Sequence, residues 1–160
     1  MAKKGKKPTN EPEIVNRRAR HEYLVHDTLE VGIALRGPEV KSVREGKVSL
    51  GEGYVRAEAE PVALTLHGVT IDAYGPAAGS ATHASARPRV LLAHKREILK
   101  LAKDSSSKGT TIIPLKIYFK NGRAKLLIGL AQGKGRFDKR EDLKKRDAAR
   151  DIQRAMSRRV

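Results

Sequence analysis

The chain has 160 residues, enough for one domain with extensions and a real buried core. It carries 34 Lys and Arg against 18 Asp and Glu, a formal net charge of +16. Self-repulsion on that scale calls for a polyanionic partner. Nucleic acid fits better than a membrane, because no segment reaches the ~18 consecutive apolar residues of a spanning helix.

With no Cys there is no disulfide framework and no thiolate chemistry. No apolar run follows the basic start, so no secretory signal is expected and the reading is of a cytoplasmic protein. Residues 1–12 are polar, with four Lys and two Pro. They are expected to form a disordered basic arm.

Asn16-Arg17-Arg18-Ala19-Arg20 concentrates charge just ahead of the first regular element. Residues 23–35 read as a long, interrupted strand, with Gly32 as a bulge or a point of close approach. Glu30 stands in an apolar neighbourhood, so it either pairs with an Arg or faces outward. Arg36-Gly37-Pro38 is a turn, and residues 39–44 form one or two helical turns with Val40 and Val43 on one side. Short strands then follow over 53–59, 62–67 and 69–74, with Pro61 and Gly68 at the turns; this spacing points to a small barrel or sandwich.

Residues 75–88 make a long small-residue loop, either binding or mobile. Residues 89–103 are expected to be a helix with Leu91, Leu92, Ile98, Leu99 and Ala102 in its apolar stripe; Lys95 falls inside that stripe and must snorkel or find a partner.

The clearest structural signal is Asn121-Gly122 between two apolar runs, a two-residue hairpin turn in which both positions take positive φ. That turn sets Lys120 opposite Arg123, Tyr118 opposite Lys125, Ile117 opposite Leu126 and Leu115 opposite Ile128. One face holds Ile113, Leu115, Ile117, Phe119, Leu126, Ile128 and Leu130. The other holds Lys116, Tyr118, Lys120, Arg123 and Lys125, with Leu127 among them. A basic strip with an aromatic in it suits phosphate contact and base stacking, and it also suits a plain solvated sheet face. Pro114 cannot donate to a ladder and belongs at an edge or bulge.

From Gly133 onward the composition changes. Residues 133–160 hold eleven Lys and Arg, five Asp and Glu, and few sizeable apolar groups. Such a segment cannot offset its own ordering entropy, although its helix propensity is good. Arg146, Arg150, Arg154 and Arg158 recur every four residues, a repelling cationic face that favours an anion.

Catalytic signatures do not converge. The five His are scattered, no metal-ligating spacing is present and no phosphate-cradling Gly-rich loop occurs. A His–Lys acid–base pair stays open as an alternative, because such pairs meet only in three dimensions. No cofactor or small-molecule substrate is expected.

Several motifs, in order, carry a resemblance: Asn16-Arg-Arg-Ala-Arg-His-Glu-Tyr23, Glu30-Val-Gly-Ile-Ala-Leu35, Glu39-Val-Lys-Ser-Val-Arg44, Arg89 through Leu91-Leu92 to Glu97-Ile98, Pro114-Leu-Lys-Ile-Tyr-Phe-Lys120, and Gly133-Lys134 followed by Asp138-Lys-Arg140. Over residues 14–140 the chain resembles the SsrA-binding (small protein B) family, partners of transfer-messenger RNA in ribosome rescue. It departs from the family's usual pattern at Val31, Val90 and Gly135.

The resemblance implies an oligonucleotide-binding-like antiparallel barrel over residues 13–132, mainly β with flanking helices. It implies a basic tail over 133–160, disordered when free and helical on the ribosome. The implied RNA-facing residues are Asn16, Arg17, Arg18, Glu30, Glu39, Lys41, Arg89, Leu91, Lys125 and Lys134, to which the hairpin reading adds Lys116 and Tyr118. In the tail, Arg136, Phe137, Asp138, Lys139, Arg140, Arg146, Arg150 and Arg154 are implied to face the vacant decoding site and messenger channel. The implied partners are transfer-messenger RNA, small-subunit RNA and elongation factor Tu. A ribosomal or assembly protein bound to ribosomal RNA is the alternative.

Overall fold

A computed structural model describes residues 11–73, 75 and 85–158. Most of the expected N-terminal arm (1–10 of 1–12) and of the 75–88 loop (76–84) lies outside the described residues.

The elements run β1 (Ile14–Val15), α1 (Arg17–Glu22), β2 (Tyr23–Ile33), α2 (Gly37–Arg44), β3 (Val48–Ser49), β4 (Tyr54–Ala59), β5 (Val62–His67), β6 (Thr70–Ile71), β7 (Arg89–Leu92), α3 (Lys95–Ser105), β8 (Thr110–Lys120), β9 (Arg123–Gly133) and α4 (Arg136–Ser157). Among the described residues the large sheet is ordered β1-β8-β4-β5-β7-β2-β9, and β9 pairs back to β8. Every described pairing in it is antiparallel. The circuit β8-β4-β5-β7-β2-β9 therefore closes into a barrel, which leaves no free edge among its members.

The hairpin turn folds as its residues demand: Asn121 and Gly122 take φ of 53° and 74°. Lys120 faces Arg123, Tyr118 faces Lys125 and Ile117 faces Leu126. Leu115 does not face Ile128. A bulge between Pro114 and Lys116 slips the register, and Pro114 takes that place. The bulge flips the alternation, because one extra residue reverses which side chains point inward. Ile112 and Ile117 thus enter the barrel core, while Ile113 and Leu115 join Ala19, Ala131, Tyr23 and Val25 in a second cluster under α1. The single core stripe read from residues 113 to 119 is in fact shared between two clusters.

The main cluster is aliphatic: Val31, Val43, Leu64, Leu66, Ile71, Leu91, Ile112, Ile117, Leu126 and Ile128 lie almost wholly out of water. Truncating any of the large ones to Ala should cost about 2–5 kcal/mol.

One further expectation needs correction, and another, which left two alternatives, narrows to one. The helix predicted over 89–103 is a strand followed by a helix. Arg89–Leu92 alternates buried and exposed and pairs with both β5 and β2, which closes the barrel. The helix starts only at Lys95, where the Glu97 carboxylate accepts from the His94 N–H at 3.0 Å. Lys95 is exposed at the first turn, so it needs no partner in an apolar stripe. In β2 the bulge falls between Val25 and Asp27, away from Gly32. Gly32 is instead a close-approach point, since a Cβ there would lie 3.2 Å from that of Leu92.

The tail, expected to be disordered when free and helical on the ribosome, is here a single 22-residue helix, α4. Its Lys, Arg, Ala and Leu content favours that state, and Asp138 sits in its first turn. Ion pairs of Arg150 with Asp147 and Arg154 with Asp151, both at 3.9 Å, partly relieve the Arg repulsion. Lys134 fastens the base of the helix. Its N–H donates to Glu22 O at 2.8 Å, and its ammonium donates to Arg20 O at 2.9 Å and to Asp142.

Candidate nucleic-acid interface

Four strands, β7-β2-β9-β8, lie side by side on one wall of the barrel. Their registers place Leu92, Gly32, Lys125 and Tyr118 in one row across the wall. The next row on the same side holds Glu30, Leu127, Lys116 and Val15. At the ~4.8 Å strand spacing each row spans about 14 Å, the reach of a few nucleotides.

Leu92 and Val90 are 59% and 57% exposed. Gly32 presents no side chain, so the row is flat beside Leu92. The wall therefore combines apolar area, an aromatic and a rim of cations, the ingredients of a surface that stacks bases and neutralises phosphates.

Glu30 orders the polar half of this wall. It accepts from the Tyr118 hydroxyl and from the Lys120 ammonium at 3.3 Å. The Tyr118 hydrogen bond is the main cause that holds the Glu30 carboxyl below the usual carboxylate range, with Lys120 adding to it against a modest cost of burial. The Tyr118 hydroxyl is pushed up to about 12, first by burial and then by Glu30. The Lys116 ammonium lies 5.2 Å from the centre of the Tyr118 ring and 3.0 Å from Glu13. Lys120, Asn121, Arg123, Lys125 and Glu30 line a hollow of about 410 Å³ at the hairpin tip. The residue types and register of the hairpin were legible in the sequence. Val90 and Leu92 were not, because the helix reading placed Leu92 inside an apolar stripe; the signal available was a short run between Pro88 and His94 containing β-branched Val90.

The remaining predicted RNA-facing residues divide. Arg17, Arg18 and Lys41 are exposed. Arg18 pairs with Glu22 at 2.7 Å and with Glu52. Asn16, Glu39, Arg89 and Leu91 are 6%, 0%, 1% and 2% exposed, so as side chains touching RNA they are corrected. Asn16 caps α1 by accepting from Ala19 N–H at 3.2 Å and ties it to the Leu50 and Pro114 carbonyls.

Glu39 and Arg89 form a buried ion pair that Arg87 joins. Arg89 also donates to the carbonyls of Val69 at 2.8 Å, Ser85 at 3.0 Å and Arg87 at 3.1 Å. Burial alone would push the Glu39 carboxyl up. Hydrogen bonds from Arg87, Arg89 and the Arg36 N–H outweigh it and hold the carboxyl low. This cluster pins α2 to β7 and so shapes the barrel end. Lys134 is likewise engaged, as described above. In α4, Asp138 and Arg140 are exposed, as are Arg146, Arg150 and Arg154, while Lys139 is half-buried. The side chains of Arg136 and Phe137 lie outside the described ones. Among the described residues no cluster of His, Cys, Asp or Glu could hold a metal ion, and no helix is long and apolar enough to cross a membrane.

A closed antiparallel barrel with an aromatic and basic wall, and a cationic helix leaving its base, is the build of an oligonucleotide-binding-like RNA-binding protein. Comparison with known proteins makes the assignment specific. The family model for SmpB protein matches residues 13–158. The chain is similar to the SsrA-binding protein of Thermobifida fusca, 45% identical with 99% of each chain covered, and to that of Exiguobacterium sibiricum, 48% identical with 88% of each covered. It is also similar to a chain in the solved structure "tmRNA-SmpB: a journey to the center of the bacterial ribosome", with TM-score 0.66, 45% identity, and 82% of this chain and 94% of that one covered. The chain belongs to the SmpB family.

Proposed function

We propose that the protein binds the transfer-RNA-like domain of transfer-messenger RNA and delivers it to stalled ribosomes for trans-translation. The observation that carries this reading is the Leu92–Gly32–Lys125–Tyr118 row with Glu30 and Lys116 beside it, on a member of a family whose relatives are named for binding SsrA. The body, residues 13–132, holds the RNA by its wall. Arg17, Arg18 and Lys41 add positive charge elsewhere on its surface, and Asn16, Glu39, Arg89 and Leu91 act by building the fold.

The tail, residues 133–160, enters the vacant decoding site and messenger channel. Arg136, Phe137, Asp138, Lys139 and Arg140 lie at its start, and Arg146, Arg150 and Arg154 face ribosomal phosphates. A helix exposed along nearly its whole length is marginal alone, so the free tail frays and becomes fully ordered on the ribosome. Elongation factor Tu completes the delivery complex. The protein works in the cytoplasm on ribosomes as an adaptor, not an enzyme: bulk and charge stand where a codon and an anticodon arm are missing.

The test is to purify the protein from its host and sequence the RNA that comes with it. Transfer-messenger RNA is expected; ribosomal RNA in equal ratio with the protein would overturn this reading in favour of a ribosomal protein. Truncation after Gly135, which leaves β9 intact, should spare transfer-messenger RNA binding and abolish peptide tagging. Equal loss of both would place the tail inside the RNA site.

A further inference from the structure

A second aromatic group stands on another wall of the barrel. Tyr54 on β4 and His67 on β5 are direct cross-strand partners. Their rings stack with centroids 5.1 Å apart and planes 14° from parallel. Tyr54 is nevertheless 49% exposed, so the stack covers one side of the ring and leaves much of the rest in water.

The hollow beside it, about 250 Å³, is lined by Tyr54, Tyr23, Arg18 and the Gly51-Glu52-Gly53 turn. Two residues along β4, on the same side as Tyr54, comes Arg56, paired with Glu58 at 2.8 Å. The Arg18 and Arg56 guanidiniums are both well exposed, and exposed ion pairs of this kind hold weakly enough for a phosphate to displace the carboxylate. A fixed ring with cations at both ends is the arrangement that binds single-stranded RNA, the base on the ring and the backbone on the cations.

We propose that Tyr54 is a stacking platform for one unpaired base of RNA, with His67 holding the ring from behind and Arg18 and Arg56 taking the flanking phosphates. The platform is separate from the Tyr118 wall: it lies on β4 and β5, whereas that wall is β7-β2-β9-β8. It lies on the side from which the tail departs. Helix α1 supplies Arg18 and Glu22 to the hollow, and its Arg20 and Glu22 carbonyls hold Lys134 at the root of α4. The base belongs to the RNA that the tail faces, small-subunit RNA, and this assignment rests on the proposed function.

Tyr54→Ala and Tyr54→Phe in the full chain test it, by affinity and by nucleotide-resolution chemical probing with transfer-messenger RNA and with small ribosomal subunits as separate arms. Tyr54→Ala should weaken subunit binding about five- to 150-fold, the loss of one base stack, and unprotect an unpaired nucleotide. Tyr54→Phe should keep both. The same loss in the transfer-messenger RNA arm instead would support the platform and move its source to that RNA. Protections and affinities unchanged by Tyr54→Ala in both arms would overturn the platform alone; wild-type protein that protects neither RNA would overturn the proposed function and the platform together.

Discussion

Glu30 and Glu39 lie nine residues apart, and each is surrounded by cations and hydrogen-bond donors. Glu30 sits in the open on a barrel wall, with Tyr118 and Lys120. Glu39 sits at 0% exposure, with Arg87, Arg89 and the Arg36 N–H. Motif reading treats them alike, as members of one RNA-facing set. Burial separates them. A carboxylate out of water must be fully matched or the fold fails, so its partners are committed to structure. A carboxylate in water is weakly held, so its partners stay available to a ligand.

The contrast is tested most severely by Arg89→Met. It leaves Glu39 buried without its fully buried cation and should lower stability by about 3–5 kcal/mol in chemical denaturation; a loss under ~1 kcal/mol would put the two carboxylates in the same class. Next is the joint replacement of Lys116 and Tyr118 by Ala. It should weaken RNA binding about tenfold or more, lower the salt slope by about one for the lost phosphate contact, and cost no more than about 1–2 kcal/mol in denaturation. Unchanged affinity would return that wall to plain solvent exposure.

Acid titration sharpens the comparison. The Glu39 carboxyl is held below its unfolded value, so its contribution is complete above roughly pH 4.3 and is lost as pH falls through the lower folded value. Glu39→Gln should therefore flatten the acid limb of the stability profile. The smallest expected effect is that of Glu30→Gln, within about 1 kcal/mol of wild-type stability by the same measurement. A larger loss would make Glu30 architectural too.

Much of the fold was legible wherever a local rule had no competitor. Asn121-Gly122 forces its turn by backbone conformation alone, and the register near it follows. That certainty ends at Pro114, where a missing N–H and a bulge reset the alternation. Residues 89–92 were misread because four apolar-rich residues fit a helix or a strand equally well by periodicity. They are a strand because β5 and β2 offer hydrogen bonds on both sides. Leu92 became visible as a surface residue only once that was settled. The Tyr54–His67 pair was invisible for a related reason: stacking requires a register between two strands, and no local pattern records it.

Composition, turn chemistry and motif order thus read out a basic barrel with a helix-prone tail and point to the family and to a polyanionic partner. These are properties of single residues and short spacings, additive along the chain. Which charged groups are exposed and which are shut in depends on how distant strands close on one another. Desolvation acts on a group only when its neighbours from elsewhere in the chain arrive, and that is why Glu30 and Glu39 part company only in the folded protein.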